Sequence, residues 1–94
     1  MDFSSVHNTH EKTIFDAVLA AAPSYPAVAG DGELLADVAC VALNRMPPHY
    51  IRHSADLAFF STEKERQAIK RNIEESVDFA FGYVQARDAM AARR

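Results

Sequence analysis

Apolar residues recur at helical spacing in three stretches of the chain, and polar or proline-rich segments separate these stretches. In the first stretch they occupy positions i, i+1, i+4, i+5 and i+8, as Ile14, Phe15, Val18, Leu19 and Ala22. This spacing predicts an amphipathic helix that buries the whole stripe. Asn8 and Glu11 have the spacing of a capping box, in which two side chains satisfy backbone amides at a helix start. We therefore expect this helix to begin at Asn8 and both residues to be structural.

Residues 23–32 show no periodicity and contain two prolines and two glycines, which predicts a turn-rich connector. A second helix is expected from residue 33 to about residue 45, with Asp31 or Gly32 at its N-cap. Glu33 lies in its first turn, where a negative charge complements the helix dipole.

The second predicted helix is almost entirely apolar, since Asp37 is the only polar residue between Leu34 and Leu43. Such a helix is expected to be covered on all sides, and a domain this small has too few other elements to cover it. A second subunit is the expected source of the missing cover. Asp37 should then be hydrogen-bonded or paired, either with the backbone end of a neighbouring element or with an arginine. Cys40 is expected to be a small buried core residue rather than a reactive thiol.

The third stretch begins at Thr62, which forms a second capping box with Glu65. Apolar positions then recur at helical spacing, as Ala68 or Ile69, Ile73, Val77, Ala80 or Phe81, and Val84. A helix of about 30 residues is about 45 Å long, whereas a compact domain of this size is about 30 Å across. One end of this helix must therefore project from the domain or pack against a second subunit. The second outcome is favoured because apolar and aromatic residues spread over more than one face of the helix, as Val77, Phe79, Phe81, Tyr83 and Val84. Gly82 marks either close packing with another helix or a break.

These elements predict an all-α fold, a small three- to four-helix domain with a long C-terminal helix that forms a homodimer. With 94 residues, 49% of them apolar, the chain has material for one small core, so residues 1–94 are expected to be a single domain. A short apolar link precedes the last helix, and Tyr50, Ile51, Leu57, Phe59 and Phe60 are expected to pack back on the helices.

Composition and charge argue against several classes of function. A net charge of −3 argues against nucleic-acid binding, which needs a basic face. The sequence has no run of about 20 apolar residues and no signal-peptide pattern at its start, so we expect a cytoplasmic protein without membrane insertion. One cysteine and four histidines offer no closed set of zinc ligands, so no metal site and no cofactor are expected.

Residues 44–53, which we call the corner, carry most of the candidate chemistry, because two prolines end the second helix and hold a polar turn. Arg45 and Arg52 can form bidentate hydrogen bonds with phosphate, and Tyr50 can stack on a base. The candidate ligand-binding residues are Asn44, Arg45, Pro48, His49, Tyr50 and Arg52.

A purely structural interpretation explains the same residues. Arg45 would then satisfy the last carbonyls of the helix or pair with Asp37. Asn44 would form the C-cap and Tyr50 would lie in the core. Residue types alone do not decide between the two interpretations. They argue against catalysis, because the sequence has no glycine-rich phosphate loop and no nucleophile with a spaced base and acid.

Residues 37–50 read D-V-x-x-x-A-L-N-R-x-P-P-x-Y, and N-x-x-E precedes them at residues 8–11. These motifs resemble the late competence development protein family, ComFB. The resemblance covers the first two predicted helices and the corner, whereas the last helix follows only in its general character. It implies an all-helical bacterial cytoplasmic homodimer without catalytic activity. The recurrent residues of the family fall on Asp37, Asn44, Arg45, Pro47, Pro48 and Tyr50.

The resemblance also implies a function. Members of the family are linked to natural competence and type IV pili, and some are receptors for cyclic di-GMP. The sequence therefore predicts a cyclic di-GMP-binding signalling module that acts through an effector protein. The alternative is a structural adaptor of the pilus or competence machinery that binds no nucleotide. Several members carry a zinc-binding cysteine cluster just before the D-V, but residues 29–38, AGDGELLADV, contain no cysteine, so a zinc site is not inherited.

Overall fold

The computed structural model describes residues 1–53 and 62–92. Within these ranges four α-helices and one 3-10 turn make up most of the chain, which confirms the all-α expectation. In chain order the elements are β1 (His7–Asn8), α1 (His10–Ala21), the 3-10 turn Ala22–Ser24, α2 (Pro26–Ala29), α3 (Gly32–Arg45), β2 (Tyr50–Ile51) and α4 (Glu63–Ala92). The expected packing of Leu57, Phe59 and Phe60 lies outside the described residues.

A two-residue antiparallel strand pair joins the start of the chain to the corner. His7 lies opposite Ile51, and Asn8 lies opposite Tyr50. Hydrophobic periodicity does not predict this pair, because two residues are too few to alternate. It places the corner beside the start of α1.

The first helix begins two residues later than expected. Thr9 occupies the N-cap, and its side chain makes no capping hydrogen bond. The predicted capping box between Asn8 and Glu11 is therefore wrong. Asn8 is drawn into the strand pair, and the exposed Glu11 remains in the first turn, where its charge still complements the helix dipole.

The core lies where α1, α3 and α4 meet. Its buried apolar residues are Ile14, Val18, Ala22, Val28, Val38, Ala39, Ala42, Met46, Ile73, Val77, Ala80, Phe81 and Val84. Only part of the predicted α1 stripe is among them, since Phe15 is 46% exposed and Leu19 is 64% exposed. The prediction of a fully buried stripe is wrong within one chain, because the other helices cover α1 on one side only.

The connector between α1 and α3 is more regular than the sequence predicted. Pro23 and Pro26 lie in the first turns of a 3-10 turn and of α2, where the missing amide proton of proline costs nothing. The ring of Tyr25 stacks on Phe81 with centroids 4.2 Å apart, and its hydroxyl donates to Oδ1 of Asp78 at 2.6 Å. That hydrogen bond raises the pKa of Tyr25. These contacts hold the connector on α4.

The helix α3 begins as predicted, with Asp31 as its N-cap. The Oδ1 atom of Asp31 accepts hydrogen bonds from the amides of Glu33 at 3.0 Å and Leu34 at 3.2 Å. These bonds satisfy two of the free amides at the helix start.

One side of α3 is left open in the single chain. A groove of about 420 Å³ runs between α1 and α3, and nearly all of its lining is apolar. Cys40 lies in this groove and is exposed, so the prediction that it is a buried core residue is wrong within one chain. The single chain alone does not cover α3 on all sides, and the second subunit expected to complete the cover stays a prediction.

The helix α4 begins with the predicted capping box. The amide of Glu65 donates to Oγ1 of Thr62 at 3.1 Å, and the amide of Thr62 donates to Oε2 of Glu65 at 3.4 Å. The helix then runs for 30 residues without a break at Gly82. The molecule measures 49 × 35 × 19 Å, so α4 extends along its longest dimension. Across the described ranges, no helix combines the length and the apolarity that crossing a membrane requires.

Candidate functional site

The corner starts where α3 is forced to end. Met46 has extended backbone angles, φ −98° and ψ 136°, as expected for a residue that precedes proline. Its side chain is buried at 6% exposure and fixes the start of the turn in the core. Pro47 and Pro48 then carry the chain to Tyr50, where β2 pairs with β1. The turn is therefore held at both ends.

The side chain of Asn8 fastens the corner to α1. Its Oδ1 atom accepts hydrogen bonds from the amide of His10 at 3.2 Å and from the amide of His49 at 3.1 Å. The amide of Thr9 donates to the carbonyl of His49 at 2.8 Å. Asn8 thus has a structural contact different from the predicted cap, and the backbone of His49 is used for structure while its side chain stays exposed.

Arg45 packs against α4 rather than against its own helix end. Its guanidinium carbon lies 3.8 Å from the centroid of Phe79, a cation–π distance. The structural interpretation gave Arg45 two possible partners, the last carbonyls of α3 and Asp37, and Arg45 uses neither. Asp37 pairs instead with Arg87 at 3.0 Å, and an arginine was one of the two kinds of partner expected for Asp37. Among the described residues, Arg45 makes no hydrogen bond or ion pair, so its N–H groups remain open to a ligand.

Tyr50 and Arg52, the aromatic residue of the corner and its second arginine, face solvent. Tyr50 is 62% exposed, which excludes the core position of the structural interpretation within the described chain. Arg52 and Pro48 are also exposed. Asn44 donates from Nδ2 to the carbonyl of Cys40 at 3.0 Å, so its amide nitrogen is used within α3 and does not form the predicted C-cap. All six candidate residues are thus exposed, and Asn44 and Arg45 also contact the fold through their side chains.

A shallow depression of about 270 Å³ lies beside the corner, across the strand pair. It is lined by His7, Asn8, Thr9, Glu11, Lys12, Thr13 and Ile51. Lys12 brings a cation from α1 to the strand that carries Tyr50, and no pattern in the sequence predicts this proximity. Within residues 1–53 and 62–92, no group of three or more His, Cys, Asp or Glu side chains is arranged to hold a metal ion.

Sequence reasoning missed two residues that shape the corner. Phe79 supports Arg45. The sequence offered one indication of a separate role for Phe79, since it lies outside the apolar positions that periodicity assigns to the core. His10 is buried at 7% exposure, and its ring centroid lies 6.2 Å from that of His49. Burial of the ring, and to a lesser extent repulsion from His49, lowers the pKa of His10 below its ordinary value of 6.5. The ring is therefore neutral at pH 7 and adds no charge beneath the corner.

The profile of a family described as late competence development protein ComFB matches residues 7–88, a span that includes β1, α1, the corner and most of α4. The chain belongs to the ComFB family. No curated protein matches it significantly. The ComFB motif at residues 37–50 lies on α3 and on the corner that follows it. The single chain leaves the outer surfaces of both open.

Proposed function

We propose that this ComFB protein is a homodimeric receptor module for a cyclic dinucleotide, cyclic di-GMP in the first instance. It passes the signal to an effector protein linked to competence or type IV pilus regulation, and it catalyses no reaction. The observation that carries the proposal is the corner itself, where Arg45, Tyr50 and Arg52 are exposed around a backbone turn held at both ends.

The charge at the corner suits a phosphodiester. A guanidinium presents N–H groups in a fixed plane that match two phosphate oxygens. Phe79 covers one face of Arg45 and leaves the edge of the guanidinium open, which orients the group before a ligand arrives. Preorganisation of this kind reduces the entropy that binding must otherwise cost.

The aromatic surface suits a base. Tyr50 is 62% exposed and follows the two prolines in a strand, so its ring has a fixed backbone beneath it. Stacking of a base on an exposed aromatic ring contributes about 1–3 kcal/mol in single-stranded nucleic-acid complexes. One phosphate contact and one stacking contact per subunit match a ligand with two phosphates and two bases, so a homodimer would supply one set for each half.

The direct test is isothermal titration calorimetry of the purified protein with cyclic di-GMP, cyclic di-AMP and GMP. We expect cyclic di-GMP to bind at micromolar concentration or tighter and GMP to bind much more weakly. Arg52→Ala and Tyr50→Ala should each weaken binding at least tenfold, which corresponds to about 1.4 kcal/mol. Arg45→Ala should do the same without unfolding the chain. Arg71→Ala is the matched control, because Arg71 is an exposed arginine of α4 that, among the described residues, makes no hydrogen bond, ion pair or ring contact with the corner.

Unchanged affinity in Arg52→Ala and Tyr50→Ala would remove the corner from the site. Recovery of intact cyclic di-GMP after prolonged incubation is expected for a receptor, whereas linear or hydrolysed products would show an enzyme. Chromatography of the incubated ligand distinguishes these results.

A second candidate function is an adaptor that binds no nucleotide. The open apolar groove between α1 and α3 favours it, since Phe15, Leu19 and Leu43 line a surface suited to a protein partner. The two candidates give opposite results in one thermal-shift screen. A receptor shows a rise in melting temperature with at least one cyclic dinucleotide, and an adaptor shows none at micromolar ligand.

A further inference from the structure

The groove between α1 and α3 is a strip of apolar surface that the described residues leave open. The two helices run antiparallel, because the connector joins them at one end and Asn8 bonds His49 at the other. On the α1 side Phe15 is 46% exposed and Leu19 is 64% exposed, and Leu43 lines the α3 side. A contiguous apolar surface of this kind is typical of a site that binds another molecule.

The shape of the groove fits one side of an α-helix. Its α3 wall runs from Leu35 to Leu43 through Ala36, Ala39 and Cys40. The length of helix from Leu35 to Leu43 is about 12 Å, or about two turns. Apolar residues at i, i+4 and i+7 of a partner helix lie along such a wall. The small side chains of Ala36 and Ala39 give these residues room to enter between α1 and α3.

The groove does not suit a small polar ligand. Pockets for such ligands carry a few placed polar groups that fix the orientation of the ligand. Nearly all of the groove lining is apolar. Asn44 follows the groove residue Leu43 in sequence, but its amide donates to the carbonyl of Cys40 and is already engaged. The groove therefore binds through shape and apolar area.

The edges of the groove are negatively charged. Glu11 and Asp16 lie three or four residues from the groove residues of α1, and Glu33 lies three residues from those of α3, so each borders the groove. All three are exposed, and within residues 1–53 and 62–92 their side chains make no hydrogen bond or ion pair. Lys12 sets one positive charge against these three negative charges.

We propose that the groove between α1 and α3 is the docking site of the effector protein, which inserts an amphipathic helix with lysine or arginine on both flanks. Its apolar residues at i, i+4 and i+7 fill the groove, and its cations pair with Glu11 and Asp16 on one edge and with Glu33 on the other. A second copy of this chain would bring the same negative edges against these, and an anionic membrane would be repelled by them.

The groove and the corner share the end of α3. Leu43 lines the groove, and the next two residues, Asn44 and Arg45, are candidate ligand-binding residues of the corner. Asn44 is bonded to the carbonyl of Cys40, which also lines the groove. The effector is taken from the proposed function, on which this inference rests. A dinucleotide bound at Arg45 lies within one turn of helix from an effector bound at Leu43.

Selection on the purified protein from a displayed library of helical peptides, varied in their apolar positions and flanking charges, is the test. We expect enriched peptides with apolar residues at i, i+4 and i+7 and basic flanks. Fluorescence polarisation should show their affinity lowered at least about tenfold by Leu19→Glu. Ala20→Glu is the matched control, because it adds the same charge at an exposed neighbour outside the groove lining and should keep full binding.

Three results of the selection would overturn the inference: acidic flanks in the enriched peptides, equal binding to wild type and Leu19→Glu, or no enriched peptide at all. Circular dichroism checks that each variant keeps its helices. Leu19 is largely in water in the single chain, so its substitution should not unfold the subunit.

The charged edges are tested separately with the double variant Asp16→Asn and Glu33→Gln. We expect it to bind the enriched basic peptide about three- to tenfold more weakly at low salt, with a shallower salt dependence. The control is Glu74→Gln with Glu75→Gln, which removes two exposed carboxylates of α4 outside the groove lining. An unchanged affinity in the Asp16 and Glu33 variant would overturn recognition by charge.

Cys40 locates the bound peptide without any substitution. Its thiol is exposed in the groove, so the enriched peptide should slow its reaction with a maleimide. Equal reaction rates with and without peptide would place the peptide elsewhere and overturn the inference. Sedimentation equilibrium should give the same oligomeric state for wild type and Leu19→Glu. An oligomer lost in Leu19→Glu would assign the groove to a second copy of the chain instead.

Calorimetry with cyclic di-GMP separates this inference from the proposed function. Leu19→Glu should bind the dinucleotide with wild-type affinity, because Leu19 lies outside the corner. Nucleotide binding without groove-dependent peptide binding would overturn the docking site alone. Peptide binding without nucleotide binding would overturn the receptor and leave the groove as the docking site of an adaptor.

Discussion

The guanidinium of Arg45 lies 3.8 Å from the ring centroid of Phe79, so the last residue of α3 rests on the middle of α4. Arg45 belongs to the corner proposed to bind a cyclic dinucleotide, and Phe79 lies on α4, where it is 43% exposed. A ligand that binds Arg45 would therefore act on α4 through this contact.

The first prediction concerns this contact. Phe79→Leu keeps an apolar side chain at this position but removes the ring that orients Arg45. A cation–π contact at an exposed site contributes about 0.5–1 kcal/mol, so calorimetry should show cyclic di-GMP affinity reduced by about two- to fivefold. Tyr83→Leu is the control, because Tyr83 faces Arg87 at 5.8 Å and not Arg45. Equal losses in both variants would show that the exposed aromatic residues of α4 in general, rather than the orientation of Arg45, set the affinity.

The second prediction concerns the side chain that fastens the corner. Asn8→Ala removes the acceptor for the amides of His10 and His49, and we expect the free energy of unfolding to fall by about 1–2 kcal/mol. Urea denaturation followed by circular dichroism measures this change. Asn44→Ala loses a single exposed hydrogen bond within α3 and should cost less than about 1 kcal/mol. A cost for Asn8→Ala no larger than that of Asn44→Ala would contradict the fastening role.

The third prediction concerns pH. The pKa of His10 is lowered by burial and by His49, whereas in the unfolded chain it returns to about 6.5. Protonation therefore favours the unfolded state. The stability associated with neutral His10 is fully present above about pH 6.5 and is lost as the pH falls towards the folded-state pKa.

The melting temperature of the wild type should accordingly fall as the pH is lowered from 7 to 5, and that of His10→Gln should fall less. His53→Gln is the control, because it replaces an exposed histidine of the corner by the same residue type. A pH dependence that is identical in wild type and His10→Gln would assign the effect to other groups.

The fourth prediction concerns the ion pair between α3 and α4. Asp37 and Arg87 are joined at 3.0 Å, but both side chains are about half exposed, at 50% and 52%. Such a pair contributes about 0.2–1 kcal/mol and is weakened by salt. Asp37→Asn should therefore lower the free energy of unfolding by less than about 1 kcal/mol, and the difference should shrink in 1 M salt. Asp88→Asn is the control. If Asp37→Asn lowered the free energy of unfolding by more than this, with no dependence on salt and no such loss in Asp88→Asn, Asp37 would have a further role.

Short-range signals in the sequence were reliable wherever a few adjacent residues settle the structure. The capping box at Thr62 and Glu65 formed as predicted, Asp31 caps α3, and the two prolines end α3 at the corner. Each of these features depends on backbone hydrogen bonds or steric clashes within one turn. The rigid turn of the corner could therefore be predicted from the order of residues alone.

Predictions failed where a local signal competed with a distant partner. Asn8 has a good capping sequence, yet its side chain bonds the amide of His49, a residue 41 positions away, and Thr9 takes the N-cap. Phe15 and Leu19 follow the helical period, yet they are exposed, because periodicity says which residues share a face and not which faces find cover. Cys40 was misplaced by the same reasoning.

The sequence by itself determined that the chain is helical, where α3 and α4 begin, and that a rigid basic turn follows α3. These properties depend on local backbone chemistry and on the helical repeat. Only the tertiary structure decided that Arg45 rests on Phe79, that Asp37 pairs with Arg87, and that two apolar surfaces stay open on the outside of the core. The physical reason is that these contacts depend on the angle and register between helices, which packing of the whole core sets and no single stretch of sequence encodes.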